Sequence, residues 1–183
     1  MHDQREQAHE YLTNFAKLLR LVMENSSKTF VELEDEISQL ELYVQLEAIR
    51  FQNKFTYTIE IDEALKNGVF EIPGMCMQPL VENAIGHGLI NRNDNAGNLQ
   101  IQLKQQDGNV VCTIIDNGVG RLKAAEIKAA KNTRYRSTAI PNISERLKML
   151  QFETGKTVSL EITDLTENGL PSGTKAVLIL PCQ

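Results

Sequence analysis

Two short segments hold the residue types that chemistry needs. Met77–Gly88 reads MQPLVENAIGHG and Asp116–Gly120 reads DNGVG. Magnesium takes oxygen ligands in near-octahedral geometry and keeps waters and substrate phosphates around one or two protein ligands, so one amide oxygen from Asn83 suffices. An ionised carboxylate at Asp116 can accept hydrogen bonds from an exocyclic amine such as that of adenine. Gly118 and Gly120 allow positive φ and close approach of backbone to a ligand. As a pair, the segments suggest an ATP site.

The elements that must position these residues show in the pattern of the chain. Met77, Leu80, Val81, Ala84 and Ile85 recur at spacings of three and four, which predicts a helix near Met75–His87 with one apolar face. Glu82, Asn83 and His87 fall beside that stripe, with Asn83 and His87 four apart and so neighbours. Such a polar row suits the rim of a ligand site, and equally a solvated face with His87 as a late-helix cation. Val110, Val111, Cys112, Thr113, Ile114 and Ile115 form a largely β-branched run that stops at Asp116, which puts the carboxylate at a strand end. Asn117-Gly118 alone would also read as an ordinary turn. The combination is what points to a nucleotide.

At these residues the chain resembles a known family. QPLVENAIGHG is similar to the N box and DNGVG to the G1 box of the GHKL ATPases, specifically sensor histidine kinases of the LytS/YehU type. The likeness continues in the same order through Tyr11–Met23 (YLTNFAKLLRLVM), Leu40–Phe55 (LELYVQLEAIRFQNKF), Asn142–Leu147 (NISERL) and Ser172–Pro181 (SGTKAVLILP). The boxes are individually short, but their order, joined to LE-x-x-RF at Leu46–Phe51, is specific. What the resemblance implies is ATP- and Mg2+-dependent phosphorylation of a histidine, then transfer to a response regulator's aspartate. It also implies roles for single residues. Asn83 matches the magnesium-binding asparagine, Asp116 the adenine-binding aspartate, and Gly118 and Gly120 the glycines that shape the pocket. Glu82 and His87 match further polar N-box positions, Glu82 as a group that polarises a water or a metal ligand and His87 as one that approaches a phosphate. Gly173 and Thr174 match the late G3 box, bordering the pocket.

Two departures from the family pattern bear on activity. The Pro-His-Phe-Leu-Phe-Asn segment that carries the family's phosphoacceptor histidine does not occur, and the histidines are His2, His9 and His87. None is assigned as phosphoacceptor; the chain is expected to be a catalytic portion whose phosphoacceptor domain lies upstream. Secondly, the lid should offer glycines before the Asn-x-x-x-Arg-Leu segment, whereas this chain has Arg136-Ser137-Thr138-Ala139-Ile140-Pro141-Asn142. Ser137 and Thr138 can donate hydroxyl hydrogen bonds and Arg134 and Arg136 can meet phosphate charge, so the lid works by side chains, or else ATP binds poorly. Lys123, Lys128 and Lys131 cluster in the same region, as lid cations or as a solvated segment.

Composition sets outer bounds. At 183 residues, 42% of them apolar, the chain can bury one core. A net charge of −5 argues against a general nucleic-acid binder. Cys76, Cys112 and Cys182 are widely spaced and form no ligand pairs, which suits a reducing cytoplasm. No apolar run reaches the roughly 20 residues that span a bilayer. Together with the resemblance to sensor kinases, this implies a cytoplasmic domain of an inner-membrane sensor.

Residues 1–53 are expected to form a helical hairpin, a remainder of the dimerisation and phosphoacceptor region, and 54–183 the ATP-binding domain. One helical stripe comprises Ala8, Tyr11, Leu12, Phe15, Leu18, Leu19 and Val22; the other, Leu33, Ile37, Leu40, Val44, Ala48 and Phe51. An exposed stripe there pairs with a second chain to give a homodimer, as the resemblance to dimeric kinases implies, or else both helices pack on their own domain. Period-two alternation at Phe55, Tyr57, Ile59 and Ile61 predicts a strand. Others are expected near 98–105, 110–115, 157–163 and 175–180, with helices near 122–131 and 141–152. The expected fold is a two-layer α/β sandwich of the GHKL type, a mixed sheet with helices on one face. Beside the kinase stand two other readings: another GHKL ATPase, disfavoured by the leading hairpin, and a degenerate nucleotide-sensing or dimerisation module without kinase activity.

Overall fold

The computed structural model describes residues 2–130, 139–156 and 158–182. In chain order these form α1 (His2–Ser26), β1 (Phe30–Glu32), α2 (Leu33–Arg50), β2 (Phe55–Ile61), α3 (Glu63–Lys66), β3 (Glu71–Pro73) and α4 (Gln78–Asn83). After a π-turn at Ala84–Gly88 and a 3-10 turn at Leu89–Asn91 come β4 (Gly97–Gln106), β5 (Asn109–Asp116), α5 (Arg121–Ala130), α6 (Ala139–Thr154), β6 (Ser159–Glu167) and β7 (Leu170–Pro181).

Five strands make a sheet in the order β2-β4-β5-β7-β6, with β2 parallel to β4 and the other pairs antiparallel. Alternation assigns the faces. On β5, Val110, Cys112, Ile114 and Asp116 are buried, and their partners on β7 are Leu180, Leu178, Ala176 and Thr174. Leu99, Ile101 and Leu103 on β4 complete that apolar face. Helices cover it: Leu40, Val44 and Ala48 from α2, Leu80, Val81, Ala84 and Ile85 from α4 and its π-turn, and Ile143, Leu147 and Leu150 from α6 belong to the same core. The fold is the expected two-layer sandwich with a mixed sheet.

At the front, α1 packs against α2 but buries little of its own surface. Leu18 is buried, whereas Leu12, Phe15, Leu19 and Met23 stand exposed along one side. Helix α2 fulfils its predicted stripe and also buries two polar residues, Glu36 and Gln39. In β2 the alternation is weaker than its sequence suggests, because Tyr57 is exposed on what is an edge strand. The small β1–β3 sheet and α3 have no counterpart in the sequence expectations. Three- and four-residue elements are too short to display a period.

Candidate functional site

The predicted N-box helix begins later and ends differently than its periodicity implies. Met75 adopts a left-handed backbone, φ +58°, so the helix cannot start there. Pro79 sits in the first turn, where a missing N–H costs nothing. Regular α geometry then stops at Asn83, and the next five residues form a π-turn, a wider coil that occurs mostly as short insertions at functional sites. Asn91 closes the segment, its Nδ2 donating to the His87 carbonyl at 3.0 Å. Through the wider turn Asn83 and His87 both still face one cavity.

That cavity, of about 360 Å³, lies between the N-box segment, the sheet and α5. Ile114 and Asp116 of β5 with Thr174 and Ala176 of β7 line its sheet side. Asn83, Ala84, His87 and Gly88 form one wall, and Arg121, Ala124, Ala125 and Lys128 of α5 the wall opposite. Of the residues singled out in the sequence, Asn83, His87, Asp116, Gly120 and Thr174 meet here. Glu82 does not line the cavity: one residue from Asn83 is about 100° around the helix, so Glu82 is exposed and accepts from Gln78 Nε2 at 2.9 Å. Ser137 and Thr138, with Arg134, Arg136 and Lys131, lie outside the described residues.

Asp116 is nearly inaccessible, at 1% exposure. Its Oδ1 accepts the Gly118 N–H at 2.8 Å and its Oδ2 accepts the Thr174 hydroxyl. Burial raises its proton affinity above that of an ordinary aspartate, and its hydrogen bonds with Thr174 and Gly118 oppose the rise. The surrounding glycines serve this carboxylate. A Cβ on Gly88 or on Gly118 would lie 2.6 Å from Oδ1, and those two glycines also meet backbone to backbone. Gly173, at φ +131°, presses on the Asp116 carbonyl, where no side chain fits. Gly120 has positive φ, as expected, but Gly118 does not. Gly118 is required for close approach instead.

The DNGVG segment is no ordinary hairpin turn. Asn117 accepts from the Asn98 N–H at 2.6 Å and donates to the Ala96 carbonyl at 2.9 Å, while Arg92 donates to the Asn117 carbonyl. The Val119 N–H reaches the Gly88 carbonyl at 3.3 Å, tying loop to N box. Arg121, the first residue of α5, makes a two-pronged pair with Asp164 of β6, both contacts 2.7 Å, and so fixes the start of that helix. None of these partners is visible from the local sequence. Neither was the placement of Arg121, Ala124 and Ala125 in the wall; Lys128 was legible only as one of a basic cluster.

Two basic groups set the field. His87, half-buried, is held below its ordinary pKa by burial and by the positive charge of Lys128, which favours a neutral ring. Asn83 donates from Nδ2 to the Pro79 carbonyl at 2.7 Å, which fixes the amide plane, and an ion at this point would be met by the amide oxygen. No three His, Cys, Asp or Glu side chains converge on a metal position among the described residues. An ion here would draw its ligands from Asn83, phosphate and water, which suits magnesium.

Comparison with known proteins bears on identity at this point. A family model described as histidine kinase matches residues 1–55. The LytS sensor protein of Oceanobacillus iheyensis is 33% identical over 115 residues, 63% of this chain and 19% of its own. The LytS sensor protein of Bacillus cereus is 28% identical over 180 residues, 96% of this chain and 29% of its own. The chain is thus similar to LytS-type sensor histidine kinases over nearly its whole length. It spans under a third of the length of those two relatives. Solved histidine kinases share the fold. A mycobacterial sensor histidine kinase, MprB, superposes with a TM-score of 0.53 at 14% identity, over 84% of this chain and 97% of that one. The histidine kinase ThkA, solved in complex with the response regulator TrrA, gives 0.50 at 15% identity, over 94% of this chain and 48% of that one. No helix among the described residues is long and apolar enough to cross a membrane.

Proposed function

We propose that the cavity binds ATP with magnesium and that the chain is the catalytic part of a two-component sensor kinase. The buried Asp116 carboxylate at the end of β5, with Asn83 and Lys128 on opposite walls, is the observation that carries this reading. Asp116 receives the adenine amine, backed by Thr174 and by the packing of Gly88, Gly118 and Gly173, while Gly120 borders the cavity. Lys128 and His87 lie nearest the phosphates. Asn83 supplies an oxygen to the magnesium, which would neutralise charge on the terminal phosphates. Phosphoryl transfer needs positioning and charge stabilisation more than covalent help from the protein.

In the reaction, an imidazole nitrogen attacks the γ-phosphorus, the bond to the bridging oxygen breaks, and ADP leaves with that electron pair. The imidazole gives up its proton to a base. Glu82, exposed beside Asn83, is the carboxylate placed for a histidine arriving from outside the cavity. The phosphoacceptor histidine is taken to lie in a domain upstream, and the phosphoryl group passes on to a response regulator, as the ThkA–TrrA complex suggests by analogy. The exposed stripe Leu12, Phe15, Leu19 and Met23 is a candidate homodimer face in the whole protein. In this reading the chain works on the cytoplasmic side of an inner-membrane sensor, where ATP and response regulators are found.

Calorimetry with a non-hydrolysable ATP analogue, with and without magnesium, tests the reading. Magnesium-dependent binding supports it. A folded chain that binds no nucleotide refutes it and favours a dimerisation module.

A further inference from the structure

The polar residues buried in α2 have no part in the site as described, yet they grip the segment that leads into it. Glu36 is 1% exposed, and its carboxylate accepts the N–H of Met75 at 3.0 Å and of Met77 at 3.4 Å. Those are the residues of the left-handed turn that launches α4. One turn further along α2, Gln39 is fully buried and donates from Nε2 to Gln78 Oε1 at 2.8 Å. Gln78 in turn donates to Glu82. Next to Gln78 is Pro79, whose carbonyl receives the Asn83 amide. A continuous set of bonds therefore runs from α2 through the 75–79 turn to Asn83 and its neighbour Glu82.

Burying a carboxylate is costly, and an apolar side chain would fill the same place in the core at lower cost. What an apolar residue cannot do is hold two backbone N–H groups of a strained turn in one orientation. Met75 is not glycine, and its left-handed conformation persists only where the surroundings dictate it. We propose that Glu36 is a positioning residue for the nucleotide site, setting the start of α4 and hence the place of Asn83, so that α2 controls the magnesium side of the cavity. This rests on the proposed function only for what Asn83 binds. Asp116, held by β5 and β7, is outside the linkage. Loss of the Glu36 bonds would thus alter magnesium-dependent binding and leave adenine recognition in place.

The test compares the whole chain with its Glu36→Gln and Leu40→Ala variants. Gln keeps one oxygen but turns an amide toward a backbone N–H, so one bond is lost with little change of volume. Leu40 is a core residue of the same helix, 1% exposed, and its apolar side chain makes none of the hydrogen bonds to the turn, so its truncation loosens packing alone. Affinity for a non-hydrolysable ATP analogue is measured with and without magnesium, alongside unfolding midpoints. The expected result is a loss of roughly tenfold in the affinity gained from magnesium for Glu36→Gln, with magnesium-free affinity unchanged. Leu40→Ala should lower the unfolding midpoint at least as much and keep the magnesium gain. Equal loss of that gain in both variants, or no loss in Glu36→Gln, overturns the proposal. Hydrogen exchange gives a readout that needs no ligand: faster exchange in Glu36→Gln should extend from Met75 through Asn83 into the π-turn. Faster exchange confined to Met75–Met77 would refute positioning. If the wild-type chain bound no nucleotide, the proposed function would fall while the exchange result still decided the role of Glu36.

Discussion

Replacing Asp116 by asparagine separates recognition from folding. Oδ1 accepts from Gly118 N–H and Oδ2 from the Thr174 hydroxyl. An asparagine oxygen can keep the Gly118 bond, and its amide can donate to Thr174, because a hydroxyl rotates to accept as readily as it donates. The substitution is nearly isosteric and removes the need to bury a charge, so the unfolding midpoint should stay level or rise. Adenine recognition should suffer. A hydrogen bond to a charged group contributes about 1.5–3 kcal/mol, or roughly 10- to 150-fold in Kd at about 1.4 kcal/mol per decade. Calorimetric titration of both proteins with an ATP analogue at neutral pH supplies the comparison, with urea unfolding as the control. Acidification adds a second signature. Burial raises the Asp116 pKa above its ordinary 3.8, so wild-type affinity should begin to fall at a higher pH than for an exposed aspartate, while Asp116→Asn stays flat. A folded variant that binds within about twofold of wild type would refute the assignment of Asp116 to adenine.

Gly173→Ala should destabilise the fold by roughly 2–5 kcal/mol, since its Cβ would collide with the Asp116 carbonyl at a backbone angle that L-residues avoid; a urea midpoint equal to wild type would contradict this. Lys128→Ala should weaken ATP binding about three- to tenfold and adenosine binding hardly at all, because the lost charge faces phosphate; equal losses for both ligands would place Lys128 elsewhere. His87 gives a pH dependence of stability. Its pKa is lower in the folded chain than the ordinary 6.5, so the unfolded state binds the proton more tightly. Stability should therefore fall as pH drops from 6.5 toward the folded value and be insensitive to this group above that window. His87→Gln should remove that part of the slope in urea unfolding between about pH 7.5 and about pH 5.5.

What the sequence reveals is what a local period or a local turn can encode. The stripe of α2, the strand that ends at Asp116 and the amphipathic N-box segment were legible because each repeats within a few residues. The π-turn at Ala84–Gly88 was not, since the same apolar spacings suit a regular helix, and only packing against the Gly118 loop shows the wider coil. Glu36 and Gln39 read as residues flanking a stripe; their partners lie across a turn whose left-handed Met75 carries no signal that a methionine would give. Arg121 and Asp164 illustrate the same limit: a pair 43 residues apart is decided by which strands lie side by side.

The glycines of the two boxes acquire a different meaning once Asp116 is seen among them. In the sequence they suggest a backbone that approaches the ligand. In the fold, Gly88 and Gly118 leave room for Oδ1, and Gly173 leaves room for the Asp116 carbonyl. Three segments therefore give up side chains around one aspartate. A larger residue at any of the three would displace the acid before it touched a nucleotide. This explains why a buried, fully hydrogen-bonded aspartate can end a strand at a cavity wall: strand alternation turns it inward, and the missing Cβ atoms let the N box and β7 close over it. The proposed recognition of adenine would thus be built from packing that is itself shaped to hold one acid.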